Sequence, residues 1–180
     1  MNQSDINYQN YVNALKNELV PAMGCTEPIA IAYCAAIAFK NLGKNCDQVL
    51  IEASGNIIKN VKSVTVPNTD GLKGIEAAAA AGIVAGNADK KLEVISQVSK
   101  EQKENIHYFL KSVPITVKPL DSAIPLDLIV TLHSESHSAS VRIAGGHDHI
   151  LWIKKDGELI FDGKTISEST TVDHSFMRVK

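Results

Sequence analysis

The sequence predicts an α+β fold with mixed α/β layering. A helix-rich first half, with buried alanine-rich helices, packs on a mostly antiparallel sheet from the second half. Three observations predict it. Ile29 to Phe39 ("IAIAYCAAIAF") is apolar nearly all round, and Gly74 to Gly86 ("GIEAAAAAGIVAG") is largely alanine, so both read as helices buried on most sides. Five short strand-like runs follow in the last third. Between the last two, "KKDGEL" puts Asp156-Gly157 at the centre of a hairpin turn. Helices first and strands afterwards point to layers of unlike elements.

Asp5 to Leu19 reads as a helix, with Ile6, Val12, Leu15 and Leu19 near one face and Tyr8 and Tyr11 at its margin. Ser4 or Asp5 suits its cap, and Pro21 ends it. Thr26 to Leu42 reads as a second helix: Thr26 as N-cap, Glu27 at the positive end, Pro28 in the first turn and Gly43 at the C-terminal cap. Its alanines allow neighbouring backbones to come close. Val49 to Ala53 reads as a strand, "SGN" breaks it, and Ile57 to Val66 is expected to be partly extended up to the turn "PNTDG". After the alanine-rich helix, Leu92 to Ile95 reads as a short strand and Lys100 to Lys111 as an exposed amphipathic helix. The closing strands are Ile115 to Lys118, Leu126 to His133, Ala139 to Ile143, His149 to Lys154 and Glu158 to Phe161. The tail "TTVDHSFMRVK" lacks a clear closing element. The chain of 180 residues is expected to form one domain, 1–180.

With 18 basic and 20 acidic residues and no block of like charge, the chain offers no nucleic-acid surface. Aromatic residues, at 5%, are too few for an array of base-stacking platforms. No apolar run reaches the ~18 residues that a membrane helix needs. The polar start "MNQSDINYQN" is not a secretory signal, so a cytoplasmic location is expected. Three cysteines, Cys25, Cys34 and Cys46, argue against a disulfide framework.

Cys25 can be read as a buried small hydrophobe, a metal ligand or a reactive thiolate. Just before a helix start, exposed N–H groups and the helix dipole favour the thiolate and lower its pKa below ~8.5. Gly24 removes bulk beside the sulfur, and Glu27 could act as a carboxylate base. On residue types alone, packing and reactivity stand level. Cys34, inside the apolar helix, reads as core.

Ser54 to Asn60 and Val66 to Gly74 put small and amide-bearing residues after strand-like runs. Such loops offer N–H groups, hydroxyls and amides to an anion, with Lys59 adding charge. They match neither a P-loop nor a dinucleotide fingerprint, and as bare composition they read as turns. The pairs His133/His137 and His147/His149, the latter flanking Asp148, could hold a metal if each shared a strand face. His133 and His137 read better as exposed strand ends. His147 follows "AGG", which lets a ligand approach.

Taken together, "PAMGCTEPIAIA", "SGNIIKNVKSVTVPNTDGLKG", "EAAAAAG" and "GGHDHI" resemble the N-terminal part of the L-cysteine desulfidase family, a relative of the iron–sulfur L-serine dehydratases through their α chain. The likeness runs from about residue 10 to about residue 155. It implies a lyase that eliminates a β-substituent without pyridoxal phosphate, using a 4Fe–4S cluster as Lewis acid. Cysteine would give hydrogen sulfide, pyruvate and ammonia; serine would lose water. Such an elimination needs a base, a cation on the leaving group and donors for the carboxylate.

By that resemblance Cys25 is a base or cluster-adjacent thiolate, oriented by Thr26 and Glu27, and Glu27 and His147 join it in the catalytic set. Ser54, Gly55, Asn56, Lys59 and Asn60 match one loop of the family, and Asn68 and Thr69 another; these would form a substrate pocket with a carboxylate clamp. The family segment usually reads His-Thr-Asn-Ile; here it is His-Asp-His-Ile. Family members are more than twice this length, with the cluster cysteines in the C-terminal half. The cluster's ligands are therefore expected mostly outside this chain, with no metal held by it alone. The expected partners are a small amino-acid substrate and a second subunit or missing C-terminal half, with homo-oligomerisation open and neither nucleic acid nor membrane involved. The competing readings are a serine dehydratase-like subunit, a non-catalytic amino-acid-binding or partner-binding fragment, and a mononuclear metal site on the histidines.

Overall fold

The computed structural model describes Gln9 and Val12, both helical, and residues 24–163. Most of the expected helix over Asp5 to Leu19, and the tail after Gly163, lie outside the described residues. The α+β expectation holds: helices pack on a six-stranded sheet of order β2-β1-β3-β4-β5-β6.

Helix α1 (Thr26–Leu42) forms where expected, and eleven consecutive residues from Pro28 to Ala38 are buried. Gly43 closes it in the left-handed conformation, φ 67°, donating its N–H to the Phe39 carbonyl. The N-terminal cap is one residue earlier than predicted. Cys25 is the cap and Thr26 the first helical residue; the Cys25 side chain makes no cap bond to the backbone.

Strand β1 (Gln48–Ala53) lies inside the sheet, although it comes from the first third of the chain. It pairs antiparallel with β3 (Asp127–Ser134) and parallel with β2 (Ile115–Pro119). A parallel neighbour needs a long crossover, and the chain supplies it with α2 (Gly55–Val61), α3 (Ile75–Ala85) and α4 (Lys100–Ser112). Strands β4 (His137–Ala144), β5 (Ile150–Lys155) and β6 (Glu158–Asp162) then add as antiparallel neighbours. Both residues of the Asp156-Gly157 turn have positive φ, 51° and 84°, as a two-residue hairpin with right-handed strands requires.

Two expected extended segments depart from that expectation: Ile57 to Val66 is helical up to Val61 and extended only around Thr65, which bridges Lys73, and Leu92 to Ile95 is not extended. Residues 55–61 form α2 because Ile57 and Val61, four apart, turn into the core together, with Ile58 half-buried at their margin and Lys59 and Asn60 exposed. β-branched side chains gave that stretch a strand-like look. Leu92 to Ile95 continues a 3-10 segment, Ala88–Glu93, into a turn. Leu92, Val94 and Ile95 are all buried, a spacing that alternation along a strand cannot produce.

Helix α1 packs on α3 and on β3 and β4. The Cys34 thiol bonds the Val141 carbonyl at 3.3 Å, consistent with its reading as core, and burial pushes its pKa far up. At the helix crossing, a Cβ on Gly82 would overlap the Ala32 carbonyl. The alanines and this glycine therefore set a backbone-to-backbone contact that larger residues would prevent. No described helix is long and apolar enough to cross a membrane.

Candidate functional site

The candidate site forms at the N-terminus of α1. Gly24 has φ 110°, a conformation open to glycine, and turns the chain so that Cys25 starts the helix with its sulfur exposed. The Cys25 thiol donates to Glu27 Oε2 at 3.0 Å. Burial is the larger cause that pushes the Cys25 thiol above its ordinary value, and the hydrogen bond to Glu27 adds to it. Glu27 moves the other way: the Cys25 thiol first, then its own backbone N–H, the charge of His147 and the amide of Asn60 lower its pKa. The helix N-terminus also favours a carboxylate here. The pair is therefore a neutral thiol on a charged carboxylate, the reverse of the thiolate that the helix-start argument favours. Against the helix dipole, the Glu27 carboxylate two residues away stabilises the protonated sulfur rather than acting on it as a base.

Three segments distant in sequence meet at Glu27: the Gly24–Glu27 turn, Asn60 of α2, and His147 of the β4–β5 loop. A fourth lies beside them, since a Cβ on Gly24 would sit 3.6 Å from Pro67 Cγ. Asn60 and His147 thus act on the Glu27 carboxylate, Asn60 through its amide and His147 through its charge, while Gly55, Asn56 and Lys59 lie exposed on α2.

Other predicted binding residues spend their polar atoms on the fold. Ser54 is buried; its hydroxyl donates to the Pro125 carbonyl at 2.6 Å and its N–H to the Asp127 carbonyl. The Thr69 hydroxyl, also buried, donates to the Val66 carbonyl at 2.7 Å. Asn68 donates to the carbonyls of Ile95 and Ser96 at 2.9 and 3.4 Å. These bonds set the shape of the loops around Pro67.

The histidine pairs do not assemble. His133 and His137 lie on β3 and β4 across a two-residue turn, with His133 opposite Ser138 and His137 opposite Ser134. His137 Nδ1 meets Asp156 at 3.0 Å. His149 Nδ1 lies 2.9 Å from the Ala144 carbonyl. Among the described residues no group of three or more histidine, cysteine or carboxylate side chains could hold a metal ion. The three cysteines likewise do not fit a cluster. Cys25 is exposed, whereas Cys34 and Cys46 are buried and turned to backbone carbonyls.

Comparison with known proteins bears on the functional reading. The chain is 55% identical over 161 residues to a UPF0597 protein of Desulfitobacterium hafniense, a match covering 89% of this chain and 37% of that one. Two further relatives that it matches carry the same name. Those of Treponema denticola and Shewanella oneidensis are 43% and 37% identical, over 96% and 91% of this chain and 41% and 38% of theirs. The chain thus spans about two-fifths of the length of these curated relatives. No family model matches the sequence, and no solved structure matches it.

These relatives correct the resemblance drawn from the motifs. Proteins 37–55% identical to this chain over about nine-tenths of its length are named UPF0597, a name that assigns no activity, rather than L-cysteine desulfidase. The relatives thus overturn the expected desulfidase or serine dehydratase-like lyase and its iron–sulfur chemistry.

Sequence reasoning missed Asp127 and Arg142. Asp127 is fully buried, and Arg142 meets it with two bonds, Nε at 3.0 Å and Nη2 at 2.7 Å, while Ser122 donates at 2.6 Å. The pair sits where the backbone of Ser54 and that of Gly145 join the Leu126-Asp127 segment. The one available signal was a carboxylate at the head of an apolar strand, "DLIV".

Proposed function

We propose that the α1 N-terminus is an acid–base site that moves protons on a small polar ligand. The observation that carries this reading is the 3.0 Å hydrogen bond from the Cys25 thiol to the Glu27 carboxylate. A neutral thiol is a proton donor, and the carboxylate beside it is an acceptor. If Glu27 takes a proton from the ligand while Cys25 gives one back, the pair ends as a carboxylic acid beside a thiolate. Its net charge stays at one negative unit. The proton then returns from Glu27 to the sulfur along the same hydrogen bond, and the starting state is restored. The ligand has lost one proton and gained another, so the fitting reaction class is proton exchange or isomerisation.

Asn60 and His147 support the reading because both lie close enough to Glu27 to stabilise its charged form.

The test is deuterium exchange in D2O, followed by NMR, on a panel of small amino acids and hydroxy acids. Wild-type protein is expected to deuterate at least one of them, and Cys25→Ala and Glu27→Gln to lose that exchange. A panel left untouched by wild type, or exchange that survives both substitutions, would sink the reading.

A further inference from the structure

The strongest feature outside the thiol–carboxylate pair is Lys91. It breaks the 3-10 segment with φ 49° and ψ −121°. That is the conformation of the first central residue of a type II′ turn, which glycine adopts freely and a side-chain-bearing residue adopts at a cost. The kink has a structural purpose, since Leu92 follows it directly into the core. Glycine would serve that purpose better. What glycine lacks is the ammonium group, and Lys91 Nζ lies 3.4 Å from Asp148 Oδ2.

Asp148 sits in the tight loop between β4 and β5, next to His147. The loop is closed by backbone bonds from Gly145 to the Leu126 carbonyl, from His149 to the Gly146 carbonyl and from Ala144 to the His149 carbonyl. Burial, and then the charge of Asp148, raise the pKa of the Tyr33 phenol on α1. Lys91 is the described cation that bonds the carboxylate.

We propose that Lys91 is a positioning residue: its strained backbone aims an ammonium at Asp148 and so latches the β4–β5 loop that carries His147. The latch joins the 3-10 segment, itself packed on α1, to a loop of the sheet. It does not depend on what the site does to a ligand, and its test uses no activity.

Hydrogen exchange of the His149 amide, which donates to Gly146, reads the loop directly. The imidazole resonances of His147 read the side chain that the loop carries. Lys91→Gly relieves the strain and removes the latch. It is expected to raise the melting temperature by about 2–4 °C while exchange at the His149 amide quickens about two- to fivefold and the His147 resonances move. Asp148→Asn should reproduce the loop effects without the thermal gain, and the double variant should add nothing further to them. Lys91→Met keeps the strained backbone and should show the loop effects alone. A lower melting temperature for Lys91→Gly would overturn the strain assignment. Unchanged exchange and unchanged His147 resonances in either single variant would overturn the latch.

Discussion

The Cys25 sulfur and the Glu27 carboxylate are 3.0 Å apart, joined across the first turn of α1 by a hydrogen bond in which the thiol donates. A helix N-terminus usually draws a cysteine toward its thiolate. Here the carboxylate has the better claim on that positive end, and the sulfur keeps its proton.

Alkylation should show this. Burial and then Glu27 hold the Cys25 thiol above its ordinary value, so its reaction with iodoacetamide is expected to accelerate with pH around a midpoint above ~8.5. Glu27→Gln removes the neighbouring negative charge and should bring the midpoint down. A wild-type midpoint below ~8.5, or one unmoved by Glu27→Gln, contradicts the assigned direction of the hydrogen bond. Cys34 and Cys46 are buried, so mass spectrometry of the labelled protein separates them from Cys25.

The same pair makes stability depend on acid. The folded pKa of Glu27 is lowered, first by the Cys25 thiol. A carboxylate of that kind stabilises the fold fully above its unfolded value of ~4.3 and loses the contribution as pH falls through the lower folded value. Urea unfolding followed from neutral pH to below ~4 should therefore show a steeper loss for wild type than for Glu27→Gln. Parallel curves for the two proteins would mean that Glu27 gains nothing on folding.

The elements with a full periodic pattern were legible in the sequence. Helix α1 needed only its apolar run and Gly43, and the β5–β6 hairpin only Asp156-Gly157. Segments ruled by tertiary contact were not. Ile57 and Val61 give α2 its helical face, but only the assembled core tells that spacing from a β-branched strand. Cys25, Glu27, Asn60 and His147 were each named from sequence. Their convergence on one carboxylate depends on α2 being a helix and on the β4–β5 loop folding back. Ser54, Asn68 and Thr69 have the chemistry of ligand binders, yet the fold has used their polar atoms on backbone carbonyls, which no local pattern reveals.

Gly82 tests the packing of the two buried helices. Its missing Cβ leaves room for the Ala32 carbonyl, and the neighbour in the way is backbone, which cannot rotate aside. Gly82→Ala is therefore expected to destabilise the protein by about 1–3 kcal/mol, although alanine has the higher helix propensity. Denaturant melts of the variant and of an exposed control such as Glu104→Ala on α4 would decide it. A stability gain in Gly82→Ala would show that α1 and α3 have slack at their crossing.

Asp127, at the start of β3, and Arg142, on β4, form an ion pair with unequal partners. The Asp127 side chain is 0% exposed and that of Arg142 29%. Removing Arg142 strands a buried carboxylate with Ser122 as its remaining side-chain donor, and losing one partner of a buried pair costs about 3–5 kcal/mol. Removing Asp127 leaves a guanidinium that can turn to water. Arg142→Leu should thus be the more damaging substitution in chemical denaturation, and Asp127→Leu the milder. Replacing both should recover much of the loss, because it removes the stranded charge along with its partner. Equal costs for the two single variants, or simple additivity in the double, would contradict the asymmetry. Because the backbone of Gly145 is hung from Leu126 beside this pair, Arg142→Leu should also shift the His147 imidazole resonances, whereas Gly82→Ala, at a helix crossing, should not.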